Sequence, residues 1–425
     1  MSERFFSARV LALASVMIIP VTYTAPDIQF KLGLEMLTLS RLEQLGCRKK
    51  DGCVVGLITN NTGKDQFGRR NVDLLLSRGI NLKYLFGPEH GFDGTRGSEV
   101  SIGDATDRKT GLPIVSLYGN GTGKKAPPSI VKKVDYFLFD MQDCGMRHFT
   151  YISTLLQTME MAAAQDKVMV VLDRPNPLGP RMEGPLVEPK QKSFISIAPI
   201  PIRHGMTIGE VARFFNQFVL QKPVKLHVVK MANYRRSDVI PVTRHASLSP
   251  GLRSRQSCDG YSFTGLLGEV RPFNVGLTSD HPFQLIALNK KAGVTDGQWR
   301  ELASALKRNG FTGTLFEYYH EGVKKRFRGL KVATNNIGAT KSFNAFLDVL
   351  SFFKKAGIDY SYAPTFDLAV GTPKLRAMLQ GGFTRQEREA FAHEVNGNLQ
   401  AFFDRARPLM LYDPLPRIAQ MRFSV

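Results

Sequence analysis

Tyr136-Phe137-Leu138-Phe139-Asp140-Met141-Gln142-Asp143 is an apolar run that stops abruptly in a polar cluster, and the same figure recurs on both sides of it. Upstream, Val54 to Thr59 ends at Asn60-Asn61, and Leu82 to Phe86 ends at Gly87-Pro88-Glu89-His90-Gly91. Downstream, Val168 to Leu172 ends at Asp173-Arg174-Pro175-Asn176-Pro177. Short apolar runs bounded by turn formers read as buried strands. Between them, Val72-Leu75-Leu76 and Ile152-Leu155-Leu156-Met159 have helical spacing. The alternation predicts βαβ units, hence an α/β fold with a mostly parallel sheet. Right-handed crossovers keep successive strands pointing the same way, so their carboxyl ends share one edge. Polar clusters gathered on that edge predict a site there.

A chain of 425 residues, 43% hydrophobic and 22% charged, buries a sizeable core and has room for two domains. Its formal charge, 57 − 37 = +20, comes mostly as scattered pairs such as Lys49-Lys50, Arg69-Arg70, Lys132-Lys133 and Lys324-Lys325. Dispersed pairs fit either a solvated cationic surface or one that concentrates an anionic partner. No nucleic-acid motif or basic stripe accompanies them, and no nucleic-acid partner is expected.

Residues 1–25 read as an export signal or membrane anchor: Arg4 and Arg9, then an apolar stretch from Val10 to Val21, then Thr22-Tyr23-Thr24-Ala25. Pro26 disfavours cleavage directly after Ala25, which leaves an uncleaved anchor open. Cys47 and Cys53 bracket a polar turn, where a disulfide in an exported chain and a pair of free thiols are both open. The four cysteines lack metal-site spacing, so no metal is expected. Cys144 follows the acidic cluster, but no base is marked as its partner. Gly119-Asn120-Gly121-Thr122-Gly123-Lys124 fails as a phosphate loop, since Tyr118 stands where the first glycine belongs and Lys125 where a hydroxyl should hold magnesium. It reads as a flexible loop, and no nucleotide cofactor is expected.

What remains is a carboxylate-rich edge: Glu89, Asp140, Asp143, Asp173 and Glu183, with His90, Arg147, His148, Arg174, Arg203 and His204 close in sequence. Paired carboxylates in different environments divide acid and base roles, as in glycosidases. An Asp after a strand also serves as a helix cap or turn former. Glu89 has no capping logic, and its flanking glycines let backbone approach a ligand. His90 and His204 lack a helical partner at ligand spacing and read as hydrogen-bonding groups.

The motifs resemble the exo-β-N-acetylmuramidases, formerly a domain of unknown function (DUF1343), which release N-acetylmuramic acid from non-reducing ends of peptidoglycan fragments. Gly56-Leu57-Ile58-Thr59-Asn60, Leu85-Phe86-Gly87-Pro88-Glu89-His90-Gly91 and Phe139-Asp140-Met141-Gln142-Asp143-Cys144-Gly145-Met146-Arg147 carry the resemblance. Thr150-Tyr151-Ile152-Ser153-Thr154, Leu172-Asp173-Arg174-Pro175-Asn176-Pro177, Glu183-Gly184-Pro185 and Pro201-Ile202-Arg203-His204-Gly205 continue it. It implies a Rossmann-like catalytic domain over 26–245 and a smaller α/β auxiliary domain over 246–425, with the sugar in the cleft between them. It implies Glu89 as the catalytic glutamate, with Asp143 or Asp140 beside it and no cofactor. Asn60, His90, Arg147, Tyr151, Asp173, Arg174, Asn176, Glu183, Arg203 and His204 are implied to line the pocket. In the segment Asn274 to Phe283 this chain departs from the family, and His281 stands where an arginine is usual. His281 is therefore expected to meet the acid group of the sugar. The implied partners are muropeptides or disaccharides, in an exported protein with an optional membrane attachment through its N-terminus. A muropeptide-binding protein without turnover is the alternative reading.

Overall fold

The computed structural model describes residues 30–48, 52–97, 103–119, 122–238, 240–382 and 384–423. The expected export signal lies outside the described residues. The strands expected from the apolar runs form as β1 (Val55–Thr59), β2 (Leu82–Gly87), β5 (Tyr136–Asp140) and β6 (Val168–Leu172). They are joined by β3 (Ala105–Thr106), β4 (Pro113–Ser116) and β7 (Lys225–Val229) in one seven-stranded sheet of order β7-β6-β5-β1-β2-β4-β3. All neighbours are parallel except the short β3. The runs are apolar throughout because both faces of the sheet are covered, and every residue of β1 and β5 is buried.

The chain lays down β2 and β4 on one side of β1, then crosses to β5 on the other. The strand order thus reverses between β1 and β5, and the crevice outside their carboxyl ends is where such sheets bind ligands. Register aligns those ends: Thr59 pairs with Asp140, Ile58 with Phe86, and Phe139 with Val171. Asn60, Glu89, Asp143 and Asp173 therefore leave the sheet from one edge.

Helix α1 (Asn71–Ser77) buries Val72, Leu74 and Leu75, while Leu76 faces outward. Helix α2 (Tyr151–Ala164) buries Ile152, Leu155, Leu156 and Met159, the face its spacing predicts. Thr207 and Glu210 form a capping box that starts α3 (Ile208–Phe218). Beyond it come α4 (Arg255–Leu267), α5 (Asp296–Arg308), α6 (Ser342–Lys355) and α7 (Arg385–Ala406), with a three-stranded antiparallel sheet. That sheet orders β8 (Leu285–Asn289), β10 (Lys325–Ala333) and β9 (Thr312–His320), with β10 central. One buried apolar cluster runs from Ile58 to Met421 and includes α2, α4, α6 and α7 residues.

Two local readings change. Tyr118 pairs with Gly123 and Gly119 with Thr122, so the glycine-rich stretch expected as a flexible loop has paired flanks. Cys47 and Cys53 are joined in a disulfide. No helix among the described residues is long and apolar enough to cross a membrane.

Candidate active site

Glu89 owes its position to the turn after β2. His90 and Gly91 both have positive φ, 68° and 78°, which reverses the chain directly after the glutamate. Glu89 is only 7% exposed. Its Oε1 accepts from the Tyr118 hydroxyl at 3.0 Å, and its Oε2 is hydrogen-bonded to the Thr150 hydroxyl at the start of α2. The Nδ1 of His90 donates to the Arg96 carbonyl at 2.8 Å, so the neutral ring keeps its lone pair on Nε2.

Asp140 and Asp143 are three residues apart and have opposite fates. Asp140 is fully buried in a two-pronged ion pair with Arg174, 2.6 and 2.9 Å, and also accepts from Asn71 at 2.8 Å. Asp143 accepts from the Gly145 amide at 2.7 Å and from His204 Nε2 at 3.3 Å, both on Oδ2. Its Oδ1 is buried with no partner among the described residues. The Met206 amide donates to Nδ1 of His204 at 3.3 Å, which places the ring proton on Nε2, facing Asp143.

The Tyr151 hydroxyl feels the charge of both acids. Burial raises its hydroxyl pKa, and the charges of Glu89 and Asp143 raise it further. The same hydroxyl accepts from Asn60 at 2.7 Å and donates to the Leu248 carbonyl at 2.7 Å. Tyr261, on α4, is partly buried and feels the charges of Glu89 and Asp143. Its ring meets Phe283 at 4.7 Å, Phe149 at 6.2 Å and His148 at 4.9 Å. Phe283 has φ 58°, unusual for an aromatic residue, and presents its ring from the segment that departs from the family. Thr150 lies inside a quoted motif without being singled out as a site residue, and Tyr118 enters the sequence reading only as the residue that breaks the phosphate loop. Tyr261 had no local signal, since only packing across the two halves brings it to the acids.

The remaining polar candidates are turned into the protein. Arg147 is a clamp rather than a ligand group, because its guanidinium reaches the carbonyls of Pro185, Ile200, Ala369 and Val370 and the Ser196 hydroxyl. Glu183 and Arg203 pair with each other at 2.7 Å, and Glu183 also accepts from the Phe343 amide at 2.9 Å near the start of α6. Asp173 accepts from Arg174 N, Gly209 N, the Thr207 hydroxyl and the Tyr412 hydroxyl. Burial and then the charge of Glu210 push its carboxyl up to about 7. Arg174 serves Asp140, and Asn176 closes a turn onto Leu178 N and Met206 O. Cys144 is fully buried, which pushes its thiol far up and removes it as a nucleophile. Both ring nitrogens of His148 are sealed off without a partner, and burial pulls its pKa down to about 3.

His281 sits beside a lysine. Its Nε2 lies 3.3 Å from Lys331 Nζ and its ring 5.2 Å from Phe316 on β9. Burial and the Lys331 charge lower its pKa, so it is neutral at pH 7 and Lys331 is the fixed cation of the pair.

The family model for the N-terminal part of the exo-beta-N-acetylmuramidase NamZ matches residues 55–256. Over 268 residues the chain is 39% identical to the peptidoglycan beta-N-acetylmuramidase NamZ of Bacillus subtilis (strain 168). That alignment covers 62% of this chain and spans 62% of the length of that relative. The crystal structure of a DUF1343 family protein from Bacteroides fragilis NCTC 9343 has 31% identity and a TM-score of 0.78, covering 91% of this chain and 100% of the other. A second DUF1343 structure from that organism has 26% identity and a TM-score of 0.67, covering 91% and 99%. A relative 31% identical and covered over its whole length shows that the chain belongs to the DUF1343 family.

Proposed function

We propose that this protein is an exo-acting glycosidase that releases N-acetylmuramic acid, or a modified muramic sugar, from the non-reducing ends of peptidoglycan fragments. One observation carries the reading. Glu89 and Asp143 leave β2 and β5, the two neighbours of β1, and the charges of both act on the Tyr151 hydroxyl; one oxygen of Asp143 has no partner among the described residues. Two acids in unlike surroundings suit the division of labour in glycoside hydrolysis. Glu89, held by Tyr118 and Thr150, is the proton donor to the leaving oxygen. Asp143, oriented by His204, is the second carboxylate, acting on the anomeric carbon or on a water beside it. The 39% identical relative is named a peptidoglycan beta-N-acetylmuramidase, which supports the substrate class.

We further infer export. The Cys47–Cys53 disulfide and the signal-like sequence of residues 1–25 support an oxidising compartment, with membrane attachment through an uncleaved N-terminus as the finer alternative. Such a location fits a role in recycling wall fragments.

The test is hydrolysis of a chromogenic N-acetylmuramic acid glycoside by wild type and by Glu89→Gln. The substitution keeps size and hydrogen bonding while deleting the ionisable group, so turnover is expected to fall by about 10²–10⁴-fold. A folded Glu89→Gln protein with near-native turnover removes Glu89 from the role. Binding of the sugar without hydrolysis in wild type leaves the protein a receptor. NMR of the first-formed sugar anomer then reports retention or inversion.

A further inference from the structure

A separate cavity of about 70 Å³ opens outside the carboxyl ends of β1, β5 and β6. Its lining includes none of Glu89, Asp143 and Tyr151. The floor is Thr62, Gln142 and Pro175, and the roof is the segment Ile240 to Ala246. Three contacts hold this roof: Lys64 Nζ donates to the His245 carbonyl at 2.8 Å, His245 Nε2 donates to the Gln66 carbonyl at 2.8 Å, and Asn61 donates to the Ser247 carbonyl at 2.8 Å.

The walls have three chemistries. Phe30, Leu32 and Val242 supply an apolar side. Gln66 and Gln142 bring amides: the Gln66 nitrogen donates to the Phe30 carbonyl and the Glu35 carboxylate, and the Gln142 nitrogen to the Asp143 and Pro175 carbonyls. Their Oε1 atoms accept no hydrogen bond within the protein among the described residues. Lys64 and Arg244 bring charge, and neither has an ion-pair partner among the described residues. The acid in the lining is Asp65, and it is spent on the Phe67 and Arg69 amides and the Arg69 guanidinium. Arg174 is likewise neutralised by Asp140. The cavity is therefore cationic at its mouth, amide-lined inside and apolar on one wall.

We propose that this cavity receives the carboxyl-terminal end of a short peptide. A carboxylate meets Lys64 and Arg244, an amide N–H meets a glutamine Oε1, and a small side chain such as a methyl lies on the apolar wall. The volume suits a terminal residue, with the rest of the peptide emerging past the roof. Charge complementarity favours this occupant over a neutral sugar, which would leave both cations unpaired. The cavity also adjoins the proposed centre, because Gln142 Nε2 donates to the backbone carbonyl of Asp143 at 2.8 Å. The peptide has two sources, a free peptide or the stem of a peptide-bearing sugar, and the experiment separates them.

The full chain is titrated calorimetrically with N-acetyl-alanine of either hand, with N-acetyl-alaninamide, with N-acetylmuramic acid, and with a muramyl peptide. The readout is binding, so it stands even if the hydrolytic reading fails. Saturable binding of N-acetyl-alanine is expected, weakened about tenfold in the amide, which lacks the charge. Arg244→Gln, at an exposed position, is expected to weaken the acid and not the amide; Lys64→Gln, which also gives up the contact to the His245 carbonyl, is expected to weaken the acid more than the amide. A muramyl peptide that binds more tightly than either half, and loses that advantage in the variants, identifies the stem as the source. Equal binding of the muramyl peptide and N-acetyl-alanine identifies a free peptide. No saturable binding, or binding indifferent to the amide and to both variants, overturns the proposal.

Discussion

The His204 Nε2 proton faces Oδ2 of Asp143 at 3.3 Å, while Oδ1 of the same carboxylate is buried without a hydrogen-bond partner among the described residues. One oxygen is thus held and the other is left for chemistry. On the proposed glycosidase reading, His204 is a positioning residue and Asp143 the acting carboxylate. His204→Ala is expected to lower kcat by about 10²-fold with little change in KM, because a misplaced carboxylate loses alignment rather than binding. His204→Gln, able to donate from a similar place, should recover part of it. Steady-state kinetics of both variants decide the matter, and a rise in KM alone would move His204 to sugar binding.

Asp140 and Asp143 are expected to respond unequally to replacement by Asn. Asp140→Asn strands the buried Arg174 guanidinium and should cost about 3–5 kcal/mol of stability. Asp143→Asn should leave the denaturation midpoint nearly unchanged and remove turnover. Denaturant titration beside kinetics separates them; matching profiles would sink the division of roles.

Glu183→Gln should behave like Asp140→Asn, since Arg203 is fully buried and relies on Glu183 for its counter-charge. A loss of about 3–5 kcal/mol is expected, with activity kept in the protein that remains folded. An unchanged midpoint with lost turnover would return Glu183 to the site.

Asp173 sets a pH dependence of stability. Its folded pKa of about 7 lies above an unfolded value of about 3.9, so the folded state holds a proton that the unfolded chain has lost. Its contribution is complete below about pH 4 and is lost as pH rises through about 7. Melting temperatures from pH 4 to 8 should show this decline in wild type, and Asp173→Asn should flatten it.

His281 has the opposite sign. Its folded pKa is depressed, so its contribution is present above the unfolded value of about 6.5 and is lost as pH falls below that. Protonation also sets two cations against each other at Lys331. Hydrogen exchange in residues 276–281, corrected for intrinsic rate, should speed up at pH 5 relative to pH 7.5 in wild type and not in His281→Gln. Equal protection at both pH values would show that the Lys331 contact does not hold the segment.

The strand runs, the helical face of α2 and the shared edge of polar clusters were legible because each depends on local pattern: burial on both faces makes a run continuous, and the crossover rule orders the ends. The motif around Glu89 was legible for a similar reason, since glycines and a proline serve a turn that involves only its own neighbours. Within the clusters, legibility stopped. Nothing near Asp140 or Asp143 says which one is neutralised, because the deciding partners are Asn71, Arg174 and His204, and only the folded sheet edge brings them together. Arg147 looked like a ligand group next to two acids, yet carbonyls at 369 and 370 claim it from the far end of the chain. The sequence by itself determined the sheet, its carboxyl edge and the family. The tertiary structure decided which charges are spent on the protein and which remain for a ligand, because a buried polar group is committed by whichever partner desolvation places beside it.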